Sequence, residues 1–365
     1  MIITHIDIYR FSIPMVPFAI STGTMTYAQN IFIRVFTNSD LYGVGECSAF
    51  PMIVGETQET CLAMARNFSI LWKGKNSLEI EARMQDLHYF TAANSTIKSA
   101  FEMALYDLAA KHREVPLYKF LGGSKRTIET DITVGIGQPS KMVDLALQYK
   151  SRGASILKVK LGKNVQEDLT RITLIRSAVG PDIKLRIDAN QGWSFDDASW
   201  ILNEMANLNI EFCEQPLRTW YDDLLPQLKV TSSIKIMADE SCFNHHDARK
   251  LIKANACDYI NIKLAKSGGI AEAIKIYEIA KAAGIGCMIG GMLESRIALS
   301  ANLHLAYACQ DIHFFDMDTC KIGHLKDPAI GGVIYSGYNL DISDSPGIGA
   351  DADDEFLKTC ENWRI

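Results

Sequence analysis

The stretch ILKVKLG, residues 156–162, alternates Leu157, Val159 and Leu161 with Lys158 and Lys160. Side chains on a strand alternate between faces, so both ammonium groups point one way and the aliphatic groups the other. A half-exposed surface strand explains the pattern. So does a buried barrel strand whose lysines face a site, and the rest of the chain must decide.

Apolar, β-rich segments recur beyond it on both sides: ITVGI (132–136), LKVKL (157–161), KLRIDA (184–189), IEFCEQ (210–215), IKIMADE (234–240), YINIKL (259–264), IGCMIGG (285–291) and HFFDMD (313–318). Helical periodicity separates them, as in VDLALQYKSRG and GIAEAIKIYEIAKAAG, several stretches ending at glycine as helix C-termini often do. Eight alternations predict a (β/α) barrel rather than an open doubly wound sheet. No GxGxxG follows the first strand, which weakens a dinucleotide reading.

Before this rhythm the chain reads as an α+β module. Residues 2–12 and 30–37 alternate, NSD at 38–40 marks a turn, and helical periodicity covers 57–73 and 96–113. A boundary near residue 125 is expected, dividing 1–125 from a barrel over 126–320.

A net charge of -6 argues against a nucleic-acid partner. No apolar run is long enough to span a bilayer, and the N-terminal stretch lacks the pattern of a signal peptide. The nine cysteines are an odd number without CxxC spacing, as expected of reduced thiols in a cytoplasmic protein.

Charged residues mark the C-terminal ends of the expected strands. From Lys160 to Asp188, Glu214, Asp239 and Lys263 the steps are 28, 26, 25 and 24 residues, one strand plus one helix each. Strand ends surround a common mouth in a barrel, so three successive strands bring Asp188, Glu214 and Asp239 together. Three carboxylates repel one another unless a cation sits among them, and oxygen-only ligands select a hard ion such as Mg2+. Asn190 and Glu240 stand beside these ligands as supporting groups. Lysines flank the triad from both sides, and a divalent cation with a second ammonium nearby lowers a lysine pKa. Two lysines across a metal can take a proton from one face of a carbon and return it to the other.

The motifs KVK (158–160), DAN (188–190), EQP (214–216), DE (239–240) and NIK (261–263), with GVGECS, GGMLES (290–295) and SPGIGA, resemble the enolase superfamily and its muconate lactonizing enzyme subgroup. The resemblance implies an α/β fold, a modified TIM barrel (β/α)7β capped by an N-terminal α+β domain that about 320–365 completes. It also implies that Asp188, Glu214 and Asp239 bind magnesium, that Lys160 and Lys263 are the acid/base pair, and that Lys158 assists Lys160. Glu294 is expected to meet a substrate carboxylate oxygen, with Met292 beside it.

Asp316 and Asp318, the DMD of 316–318, resemble the eighth-strand DxD of dipeptide epimerases, which receives the substrate's ammonium terminus. Ala-Glu epimerases commonly carry an arginine in the N-terminal loop. The matching stretch here, FAISTGTMTYAQN (18–30), has Gly23 about there. The expected substrate is therefore an alanyl dipeptide with a small or apolar second residue, such as Ala-Ala or Ala-Val. Alternatives are an Ala-Glu epimerase, a cycloisomerase or o-succinylbenzoate synthase of the same subgroup, and a Schiff-base barrel aldolase needing no metal. The chain is expected to form a homo-oligomer without membrane or nucleic-acid partners.

Overall fold

In a computed structural model describing residues 1–365, eight parallel strands follow one another in sequence order, each bonded to the next. They are Ile132–Val134, Ile156–Lys160, Lys184–Asp188, Ile210–Glu214, Ile236–Ala238, Tyr259–Ile262, Gly286–Gly290 and Phe314–Asp316. The Asp131 N–H closes the ring by donating to Phe315 O at 3.1 Å. Seven connections carry a helix of seven residues or more, whereas only the short Thr319–Ile322 helix directly follows the eighth strand. The architecture is a (β/α)7β barrel.

Every residue of Ile156–Lys160 is buried, with Leu157 and Val159 facing the helices and Lys158 and Lys160 facing inward. That removes the surface-strand reading of the opening heptapeptide. Register then aligns the charged ends: Lys160 lies opposite Asp188, and Asp188 opposite Glu214. Side-chain caps start several barrel helices where the sequence offers Asn or Ser, at Asn164, Ser194, Asn244 and Ser295.

The capping domain is an antiparallel sheet ordered Asn362–Arg364, Ile3–Ile20, Gly23–Thr37 and Tyr42–Ser48, so the last residues of the chain join the first. The Ser95–His112 helix lies directly on the last of these strands. A Cβ on Gly43 or Gly45 would come within 1.9 Å of Ala104 O or Ala100 O, so the close approach requires glycine at both positions.

Two features depart from the sequence reading. Residues 18–30, expected as a loop, are strand on both sides of a turn at Ser21–Thr22, and an irregularity between Pro14 and Phe18 interrupts the regular pairing of the hairpin. Tertiary contacts hold its tip on the barrel mouth: Ile136 N–H donates to Ala19 O at 2.9 Å and Ser21 Oγ to Asn190 O at 2.8 Å. Ile80–Phe90, unassigned from sequence, is a helix that buries Arg83, Met84 and Leu87.

His304 lies buried on the Arg296–Ala308 helix, its Nδ1 accepting the Tyr118 N–H at 3.0 Å. Burial pushes its pKa down to about 4. Unfolded it titrates near the ordinary value of about 6.5, so the unfolded chain binds the proton first. This contribution to stability is present above about pH 6.5 and is lost as pH falls toward 4. Urea unfolding should therefore show about 2 kcal/mol less loss between pH 7 and pH 5 in His304→Gln than in the wild type. Equal losses would show that the ring does not govern this range.

Candidate active site

The inward side chains of the strand ends meet in one charged cluster. Lys158 Nζ, fully buried, lies 2.7 Å from Glu214 Oε2, 2.7 Å from Asp316 Oδ2 and 3.2 Å from Asp188 Oδ2. Lys160 Nζ donates to Asp188 Oδ2 at 2.6 Å, and Lys263 Nζ to Asp239 Oδ2 at 2.8 Å. Lys160 ends the second strand and Lys263 follows the sixth, so they stand across the barrel with Asp188, Glu214 and Asp239 between them.

Burial disfavours charge on all of these groups, but neighbours decide the outcome. Burial alone would lower Lys158, yet Asp316, Glu214 and Asp188 around it hold its pKa well above the ordinary lysine value. The same opposition, with Asp239 and Glu214 as partners, raises Lys263. The expected lowering of a lysine by a neighbouring ammonium is thus outweighed at these two positions by carboxylates in direct contact. Asp188 is held below its usual value despite burial, chiefly by Lys160 and Lys158. Glu214, buried beside the charged Asp188, is pushed up to about 7, and Glu240, buried beside Asp239, to about 8.

The donor set suits a hard divalent cation. Glu214 Oε2, Asp239 Oδ1 and Glu240 Oε2 are buried without a geometrically aligned hydrogen-bond donor, although the Lys158 and Lys266 ammonium groups lie 2.7 and 2.5 Å from the first two. These oxygens lie on or beside the predicted triad, and no nitrogen or sulfur ligand intrudes. The three carboxylates whose oxygens approach within 4.8 Å of one another are, however, Asp131, Asp316 and Asp318. Asp188 and Asp239 pair with different lysines, Lys160 and Lys263.

Several site residues escaped the sequence reading. Lys266, one helical turn past Lys263, reaches Asp239 Oδ1 at 2.5 Å and donates to Cys242 O and Asn261 O. The Asn261 amide donates to Glu214 Oε1 at 2.8 Å, and the NIK motif was its only signal. Asp131, immediately before ITVGI, pairs with Arg186 at 2.8 Å. The Thr133 N–H donates to Asp318 Oδ2 at 2.6 Å, and no sequence pattern announces a backbone donor.

Above the cluster lies a small cavity, partly open to solvent. Phe18, Ile20, Phe50, Ile53, Met292, Leu293 and Ile322 form its apolar walls, and Lys160, Lys263, Asp316 and Asp318 its charged floor. Asp318 is pushed up to about 7 by burial and by Asp316, whereas Lys158 and the other lysines overcome burial and hold Asp316 at about 2. Met292 therefore lines the cavity. Gly23 and Glu294 do not: a Cβ on Gly23 would meet Met52 Sδ at 2.7 Å, and the Glu294 carboxylate accepts the Met292 N–H at 2.5 Å. A larger cleft of about 1120 Å3, around His88, His245 and Glu272, contains none of the predicted site residues.

The model of the mandelate racemase / muconate lactonizing enzyme N-terminal domain matches residues 4–122, and that of the enolase C-terminal domain-like family matches 141–356. The chain belongs to this family. It is 40% identical to the D-Ala-D/L-Ala epimerase of Cytophaga hutchinsonii over 99% of both chains. It is 36% identical to the L-Ala-D/L-Glu epimerase of Clostridium acetobutylicum, over 96% of this chain and 98% of that one. The crystal structure of a dipeptide epimerase from Cytophaga hutchinsonii, complexed with Mg and D-Ala-L-Val, matches with a TM-score of 0.98 at 40% identity and full coverage of both chains. Within the family this chain is an isomerase of the epimerase and racemase kind.

The charge cluster predicts a large cost for losing its central cation. Lys158→Met leaves Asp188, Glu214 and Asp316 without that partner and should destabilise the fold by about 3–5 kcal/mol at pH 7. Chemical unfolding checks this. An unchanged unfolding free energy would mean that these acids are neutralised some other way.

Proposed function

We propose that this isomerase is a magnesium-dependent dipeptide epimerase that inverts the α-carbon of the C-terminal residue in Ala-X dipeptides with small or apolar X. The observation that carries the reading is the cavity, in which two lysines stand across from each other beside a carboxylate pair, under walls that contain no arginine. Apolar walls favour an apolar side chain, and a side-chain carboxylate would find no cation there beyond the two lysines needed for proton transfer.

Asp188, Glu214 and Asp239 would hold the magnesium ion, which when bound supplies positive charge against the negative charge that develops as the α-proton leaves. Asn261 orients Glu214, and Lys266 orients Asp239. Asp316 and Asp318 accept the substrate's ammonium group, with Asp318 fixed by the Thr133 N–H and Asp316 by Lys158. One of Lys160 and Lys263, in its amine form, takes the α-proton on Nζ, and the other, as ammonium, donates one from Nζ to the opposite face. Each round leaves the two lysines with exchanged protonation states, ready for the reverse direction. The ammonium-binding role of Asp316 and Asp318 is also what disfavours a cycloisomerase, whose substrate carries no amine.

Incubation with magnesium and a pool of L,L-dipeptides in deuterium oxide tests the reading by mass. Alanyl dipeptides with small or apolar second residues should gain one mass unit, Ala-Glu should lag by about 100-fold, and EDTA should stop all exchange. Dominant labelling of Ala-Glu would favour the other epimerase specificity, and silence across the pool would sink the dipeptide reading. Lys160→Ala and Lys263→Ala should each abolish epimerisation, one of them retaining exchange from a single stereoisomer. Wild-type turnover in both would overturn the two-lysine mechanism.

A further inference from the structure

The buried carboxylate of Glu46 lies outside the reaction chemistry and belongs to the capping domain, on the Tyr42–Ser48 strand. It accepts four hydrogen bonds. Asn30 Nδ2 donates to Oε1 at 2.7 Å and the Ser295 N–H to Oε1 at 2.9 Å, while Ser295 Oγ donates to Oε2 at 2.7 Å and the Ala298 N–H to Oε2 at 3.0 Å. Three of the four come from the start of the barrel helix Arg296–Ala308, whose exposed N–H groups and dipole favour a negative group at that end. The same Asn30 amide also donates to Leu293 O at 3.2 Å.

This clamp ends the loop that leaves the seventh strand. Gly291 is tied to the eighth strand through its N–H to Asp316 O, and Met292 O accepts from Thr319 Oγ1. Leu293 and Ser295 are held from the other domain by Asn30 and Glu46. Met292 and Leu293, themselves held through their carbonyls, form part of the cavity wall. Since the cavity wall and the clamp share this loop, releasing the capping-domain contacts lets the wall shift and leaves Lys160, Lys263 and the acidic triad on their strands.

We infer that Glu46, assisted by Asn30, is a specificity-positioning residue that holds the 291–295 loop across the domain boundary and so sets the room available to the substrate's side chains. The inference rests on the dipeptide reading for its substrate, but not for the tether itself.

The experiment uses the full chain and the variants Glu46→Gln and Asn30→Ala. Glutamine puts an NH2 donor where two of the four donors point, and alanine at 30 removes the Leu293 tether if the first variant folds poorly. Amide hydrogen exchange should rise at least tenfold over residues 291–298 while residues 156–160 stay unchanged. The ratio of kcat/KM for Ala-Val to that for Ala-Ala should move at least fivefold, which a simple loss of folded protein would not cause. Unchanged exchange at 291–298, or freed exchange with an unmoved ratio, overturns the inference. If the wild type labels no dipeptide, the substrate reading fails, and the tether then stands or falls on amide exchange alone.

Discussion

A fully buried ammonium group in contact with three carboxylates is the constraint on which the rest of the site depends. Lys158 Nζ is within 3.2 Å of Asp188, Glu214 and Asp316, which arise on the third, fourth and eighth strands. Burying any one of these charges alone would be strongly unfavourable. Together they require a closed ring of strands whose inward residues reach one level, and the barrel register supplies it. The outer groups inherit their surroundings from this centre: Lys160 shares Asp188 with Lys158, and Lys263 shares Glu214. The charged groups at the mouth thus rest on a neutralised layer beneath them.

Much of this was legible in the sequence because a barrel converts spacing into position. Steps of 24 to 28 residues from Lys160 to Lys263 carry the strand period directly, and each marked residue ends or follows a strand of the ring. What stayed hidden were contacts without a period. Lys266 lies outside the strand period and is a buried donor to Asp239. Asp131 precedes its strand and falls outside that spacing, yet it meets Asp316 and Asp318 inside the barrel.

The hairpin shows the opposite failure. Residues 18–30 combine polar and small residues that read locally as loop, but strand pairing continues on both sides of Ser21–Thr22. Bonds from Ile136 and Ser21 to the barrel mouth supply partners invisible to local pattern. Tertiary contact overrides local preference there, as it does for β-structure generally. The placement of Gly23 follows: it packs toward Met52 instead of the cavity, so the hairpin residues that line the cavity are Phe18 and Ile20.

The lining of the cavity is divided between the two halves of the molecule. The lysines and acids stand at the ends of barrel strands, whereas Phe18, Ile20, Phe50 and Ile53 come from the capping domain. Barrel positions are fixed by ladder hydrogen bonds and mutual charge, so altering one unpairs a buried charge. Capping-domain residues touch the cavity only through apolar walls, which can change size without unpairing a buried charge. Met292 and Leu293 sit between these regimes, carried by a barrel loop but anchored at one end by Asn30 and Glu46. The acids and lysines are held by the strands, while the walls above them remain free to vary.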